Sequence, residues 1–224
     1  QFRLTHPKAM ATLEANVRDF VRKFPGLHSI SAMPNDSPRW SEEDLKQHSP
    51  AELLEMSYAA ITRAVYETNP EMKVAIGTGV EYFGQDGTYI WDAPFPNIIW
   101  HTAVLRRTLK YAWNDPASPQ NHAQYLKAAA ATKTLAERGQ DVVWSSRYAP
   151  FRDISLPGAL HAQAMATELR DLKAIGGAGI NLNYAVVDSW IPYELKHYLF
   201  ARLAWNPDQE PGEIIADYIS TRFS

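Results

Sequence analysis

Cysteine is absent from all 224 residues. That excludes disulfides, thiolate nucleophiles and cysteine-based zinc sites, though exported bacterial proteins also do without cysteine, so the compartment stays open. An excess of one charge is missing as well. The 22 Lys and Arg against 25 Asp and Glu leave a formal net charge of -3, which gives no footprint for nucleic acid or an anionic membrane. No apolar run approaches the length of a membrane span. No signal peptide is visible and the first residue is Gln1 rather than Met, so we expect a chain that has been processed, trimmed or cut from something longer.

Several motifs are also missing. There is no HxH and no HExxH, and of the seven scattered histidines only His101 falls at the end of an expected strand. No metal is therefore expected. A GxSxG nucleophile elbow is absent, and so is a phosphate-binding GxxxxGK followed by Ser or Thr. The glycines of "GTGVEYFG" lie inside and after a strand with no helix following, unlike a dinucleotide fingerprint. No cofactor is expected.

What remains is a globular composition, 46% hydrophobic and 21% charged. Its length suits one large domain or two small ones. Residues 7–23 place Met10, Leu13, Val17, Phe20 and Val21 on one helical face, and Pro25-Gly26 stops that helix. A strand Leu27–Met33 follows. Ser49-Pro50 supplies an N-cap and a first-turn proline for a helix to about Thr68, with Leu53, Leu54, Tyr58, Ile61 and Val65 inward. "KVAIGTGVEYF" and "NIIWHTAV" read as strands joined through the loop Gly84–Pro96. Helices are then expected at about Gln120–Arg138, Pro157–Ile175, Pro192–Ala204 and Pro211–Phe223, with strands "QDVVWSSRY" and "GINLNYAVV" between them.

Five apolar strands alternating mostly with amphipathic helices predict an α/β fold with a parallel sheet. Of the two arrangements that fit, a doubly wound sheet and a (β/α)₈ barrel, the strand ends favour the barrel. Barrel enzymes carry their chemistry at the C-terminal strand ends. In order, those ends offer Asn35-Asp36 with Trp40 beyond, Glu81-Tyr82, Trp100-His101, Trp144 with Arg147 and Tyr148, and Asn183-Tyr184 followed by Trp190. The strand starts offer no comparable set. Carboxyl pairs, aromatic faces, amides and Arg are what a carbohydrate site requires. Each residue also has a plainer reading. Asn35-Asp36 before Ser-Pro suits an Asx-turn, Glu81 suits a surface loop, and the tryptophans suit a core. His101 suits a buried structural histidine, and Arg147 suits an ion pair with Asp153 or Asp188.

The stretches "SISAMPND", "VAIGTGVEY", "VVWSSRY" and above all "HYLFARLAWNPDQEPGEIIADYISTRF" resemble a bacterial carbohydrate-associated family labelled domain of unknown function 4838. The closing segment, with Tyr198, Leu199, Leu203, Trp205, Asn206 and Pro207, carries the resemblance most strongly. It implies a glycoside-hydrolase-type barrel, distantly similar to α-glucuronidases and β-hexosaminidases. It further implies Asn35 and Asp36 as site residues with Tyr82 and Tyr148 lining the pocket, and supports Glu81 less. Relatives carry clustered cysteines after the Asn-Asp, and this chain has none there.

The expectation is thus a TIM-type barrel of which this chain holds the C-terminal five β/α units, residues 1–224 forming part of one (β/α)₈ domain. Eight units take about 250 residues, so about three strands are expected before Gln1, in the same protein or a partner chain. Catalysis is expected from Asp36 and Glu81. Substrate binding is expected from Asn35, Trp40, Tyr82, Trp100, His101, Trp144, Arg147, Tyr148, Asn183, Tyr184 and Trp190. The function expected is a glycoside hydrolase for a polysaccharide or uronic-acid-bearing glycan, by a retaining, inverting or substrate-assisted route. The alternative is a non-catalytic glycan-binding barrel of a larger surface or secreted protein. A secreted, periplasmic or cell-surface location follows from either, with no nucleic-acid partner and no membrane insertion.

Overall fold

The structure, a computed structural model, describes residues 3–32, 40–77, 95–103, 111–146, 161–182 and 194–223. Among them the elements run α1 (Pro7–Lys23), β1 (Ser29–Ser31), α2 (Glu42–Leu45), α3 (Pro50–Thr68), β2 (Lys73–Gly77), β3 (Ile98–Ala103) and α4 (Pro119–Glu137). They continue with β4 (Asp141–Ser146), α5 (Ala162–Ala174), β5 (Gly179–Leu182), α6 (Glu194–Trp205) and α7 (Pro211–Phe223). The chain divides into two compact units, Gln1–Thr102 with Arg138–Asp141, and Ala103–Glu137 with Val142–Ser224.

In the first unit β1, β2 and β3 lie side by side in chain order, all parallel. Ile30 pairs with Val74, and Ile76 with Trp100. Parallel neighbours need a crossover, and α3 provides the one between β1 and β2. Its start is fixed by a capping box: Ser49 Oγ accepts from Glu52 N while Glu52 accepts from Ser49 N. Leu53, Leu54, Tyr58, Ala64 and Val65 of α3 are buried, as are Val74 and Ile76 of β2. On α1 the apolar face packs less completely than its periodicity predicts. Val21 is buried, but Phe20 is 44% exposed and sits 4.9 Å from Phe24. Phe20 meets the ring of Phe24, itself 43% exposed, instead of the core. The four-residue α2 has no counterpart in the sequence reading. Its Asp44 accepts hydrogen bonds from Leu4 N, Thr5 N and Thr5 Oγ1, tying the N-terminal segment down.

In the second unit β4 and β5 are parallel, with Trp144 opposite Ile180. Helices α5, α6 and α7 close around Met165, Ala166, Leu169, Leu199, Leu203 and Ile214. The helix expected from Pro157 begins, within the described residues, only at Ala162. His161 has φ of 46°, a left-handed conformation that a right-handed helix cannot run through. At the other end Gly176 (φ +83°) makes the turn into β5. At Gly177 a Cβ would lie 2.1 Å from Leu172 Cδ1, so glycine is needed there for space.

Candidate functional site

The strands of each unit have two unlike faces. In the first, Val74, Ile76, Ile98 and Trp100 are buried, while the alternate positions Ala75, Ile99 and His101 are only half-buried. In the second, Val142 and Trp144 are buried, Val143 is half-buried and Asn181 is exposed. Along this second face the residues turn polar toward the C-terminal strand ends: Ile99 gives way to His101, Val143 to Ser145 and Gly179 to Asn181. Register sets Gly77 beside His101 in one unit and Ser145 beside Asn181 in the other. Ser145 is 1% exposed, and its Oγ makes no hydrogen bond among the described residues.

The strand starts do structural work instead. Asn97 Nδ2 donates to Met72 O at 3.2 Å, and Gln140 Oε1 accepts from Trp100 Nε1 at 2.9 Å.

Of the residues expected to bind substrate, Trp40, Trp100, His101 and Trp144 lie within the described residues. Trp100 and Trp144 are core side chains, 1% and 2% exposed. Trp144 Nε1 donates to Thr132 Oγ1 of α4 at 3.0 Å, and its ring meets Trp113 edge-on at 4.5 Å. Both rings stand on the buried face of their strands, one position out of phase with His101 and Ser145, so neither offers a flat surface to a sugar. Strand alternation decides this, and only the phase of the neighbouring residues reveals it. Trp40 is half-buried just ahead of Ser41, the cap of α2, and His101 is half-buried on the polar face. The catalytic candidates Asp36 and Glu81 lie outside the described residues, as do Asn35, Tyr82, Arg147, Tyr148, Asn183, Tyr184 and Trp190.

Two titratable features have no signal in the sequence. Lys196, in the first turn of α6, is 1% exposed, and burial lowers the pKa of its ammonium. Beneath Trp113, Glu168 Oε1 accepts the Trp113 backbone N–H at 3.0 Å. Nearby Asp171 is pushed up by burial and then by the charge of Glu168, against a hydrogen bond from Asn114. No described helix is long and apolar enough to cross a membrane.

The fold and the phase of its strands together define an α/β protein of parallel strands and covering helices. No family model matches the chain, so the resemblance to domain of unknown function 4838 gains no support there, and no curated protein sequence matches it. Among solved structures, the endo-glycoceramidase II of Rhodococcus sp., described as a lactosyl-enzyme intermediate, matches with a TM-score of 0.51 at 14% identity. The match covers 81% of this chain and 40% of that one. The likeness is one of fold.

Proposed function

We propose that this chain is part of a carbohydrate-active protein, a glycoside hydrolase acting on a polysaccharide or a uronic-acid-bearing glycan. The observation that carries the proposal is the fold shared with a glycosidase over 81% of the chain. The change to polar residues toward the C-terminal strand ends supports it. In this reading Asp36 and Glu81 are the carboxyl pair, one donating a proton to the leaving oxygen while the other attacks the sugar or activates water. The neighbour's lactosyl-enzyme intermediate favours the first of these chemistries, with carboxyl groups about 5–5.5 Å apart. Asn35, Tyr82, Tyr148, Asn183, Tyr184 and Trp190 would complete the pocket, and Arg147 would hold a uronate carboxylate bidentately. The family resemblance of the closing segment, a secreted or cell-surface location and bacterial polysaccharide degradation belong to the same proposal.

The test is a screen of the longer native protein against a glycan panel that includes uronic acids, followed by Asp36→Asn and Glu81→Gln. Loss of roughly a hundredfold or more in turnover, with the far-UV spectrum unchanged, is expected for each. Turnover within a few-fold of wild type would leave Asp36 a turn residue. Tight binding without turnover by the wild type would favour the non-catalytic glycan-binding alternative. Arg147→Ala is expected to raise KM for uronate-bearing substrates at least tenfold while leaving neutral ones within a few-fold. Equal effects on both would remove the carboxylate-binding role.

A further inference from the structure

We propose that Asp44, buried in the first unit, is a positioning residue that acts through Asp36 by holding the connection from β1 to α3; this rests on the carbohydrate-active reading. That connection leaves β1 at Ser31, enters α3 at Pro50, and carries Asn35, Asp36 and Trp40 in its sequence. Strands β1 and β2 are parallel neighbours with α3 as their crossover, so α3 starts from the C-terminal end of β1. A barrel carries its chemistry at that end.

Asp44 is 0% exposed and Ser41 only 2%. The Asp44 carboxylate accepts from Leu4 N at 2.8 Å, from Thr5 N at 3.3 Å and from Thr5 Oγ1 at 2.5 Å, and Ser41 adds a further hydrogen bond. In return Asp44 N donates to Ser41 Oγ at 3.1 Å, which caps α2. Leu4 is buried as well, so the segment that meets Asp44 is packed in place. One carboxylate thereby joins two stretches 40 residues apart in the chain.

The four residues of α2 make a single turn, too short to keep its own shape, so it depends on these bonds. Burying a carboxylate is costly, and an apolar side chain of similar volume would serve packing as well. What the carboxylate adds is direction, because its bonds to two backbone N–H groups and to hydroxyls fix where the turn sits. Trp40 stands half-buried immediately ahead of the Ser41 cap, so the constraint reaches the connection directly. A site residue carried on a connection needs such support, since a displacement of about 1 Å can cost about a hundredfold in rate. The same hydrogen bonds hold the pKa of Asp44 at about 2, so the support stays ionised near neutral pH.

The test uses the full native protein with a set of nitrophenyl glycosides, the glucuronide included, as substrates. Asp44→Asn is expected to lower kcat about tenfold with KM within a few-fold. Thr5→Val, which removes one bond to the carboxylate, should fall between Asp44→Asn and the wild type, and Thr5→Ser, which keeps the hydroxyl, should match the wild type. Urea unfolding gives the folded fraction of each variant, and rates are compared per folded molecule. The decisive comparison is the double variant Asp36→Asn with Asp44→Asn. It should be no slower than Asp36→Asn alone, whereas independent effects would multiply. Multiplying effects, or an unchanged kcat per folded molecule in Asp44→Asn, would overturn the positioning role. If Asp36→Asn still loses its turnover in that case, the carbohydrate-active reading stands. Failure of the wild type to cleave any of the glycosides would remove the catalytic reading, and this inference with it.

Discussion

Asp44 shows how a single buried carboxylate is decided by competing effects. Burial alone raises its pKa, but hydrogen bonds from Thr5, Ser41 and the backbone of Leu4 and Thr5 outweigh burial and bring it from an ordinary 3.8 to about 2. A carboxyl group held lower in the folded than in the unfolded state stabilises the fold above the unfolded value and loses that effect as pH falls toward 2. Asp44→Asn should therefore lower the urea midpoint near neutral pH, with the gap to wild type closing between about pH 4 and pH 2. A gap independent of pH would mean that the charge contributes nothing. Asp171 has the opposite sign. Burial comes first and Glu168 second in raising its pKa, and its Oδ2 has no hydrogen bond among the described residues. Stability tied to its proton is present at low pH and lost as pH rises. Asp171→Asn, which keeps an oxygen for Asn114, is thus expected to raise the urea midpoint at neutral pH and lose that advantage in acid. Neither effect is legible in the sequence, because nothing in "SEEDLK" or "ELRDLK" shows which carboxylate turns inward.

At the scale of elements, local chemistry made boundaries legible wherever the chain carries its own start signal. Pro7, Ser49-Pro50 and Pro211 open α1, α3 and α7 where a proline in the first turn predicts them. The start of α5 was not legible because His161 adopts a backbone conformation that side chains disfavour. The four residues of α2 are too few to show a period. The capping box gives a direct measure: Ser49→Ala should cost about 1 kcal/mol by chemical denaturation, and Ser49→Asp should retain most of the stability. The two kinds of glycine requirement can be separated in the same way. Gly139 has φ of +73° with open space around its missing Cβ, while at Gly177 the added carbon meets the buried Leu172. Gly139→Ala should cost about 1–2 kcal/mol from backbone conformation. Gly177→Ala should cost more, about 2–3 kcal/mol, because overpacking forces Leu172 to move. The reverse order would mean that the α5–β5 turn yields readily.

At the scale of the whole molecule, alternation of helices and strands made the α/β class legible. Trp100 and Trp144 are core rings because a place near a strand end does not fix phase, and a ring one position along a strand belongs to the opposite face. Among the described residues there are five strands, and a closed parallel barrel uses eight. We propose that further strands, from the rest of the polypeptide or a partner chain, complete the layer, because parallel sheets are stable when covered and unpaired edges invite association. The prediction is a contrast between lengths. Residues 1–224 produced alone should associate in sedimentation velocity as concentration rises and should bind a hydrophobic dye. The longer native protein, or 1–224 mixed with its partner, should sediment as one species, bind little dye and unfold at a higher urea midpoint. A monomeric, dye-silent 1–224 with the same midpoint as the longer protein would show that these residues already satisfy their own edges, and the proposed additional strands would then be unnecessary.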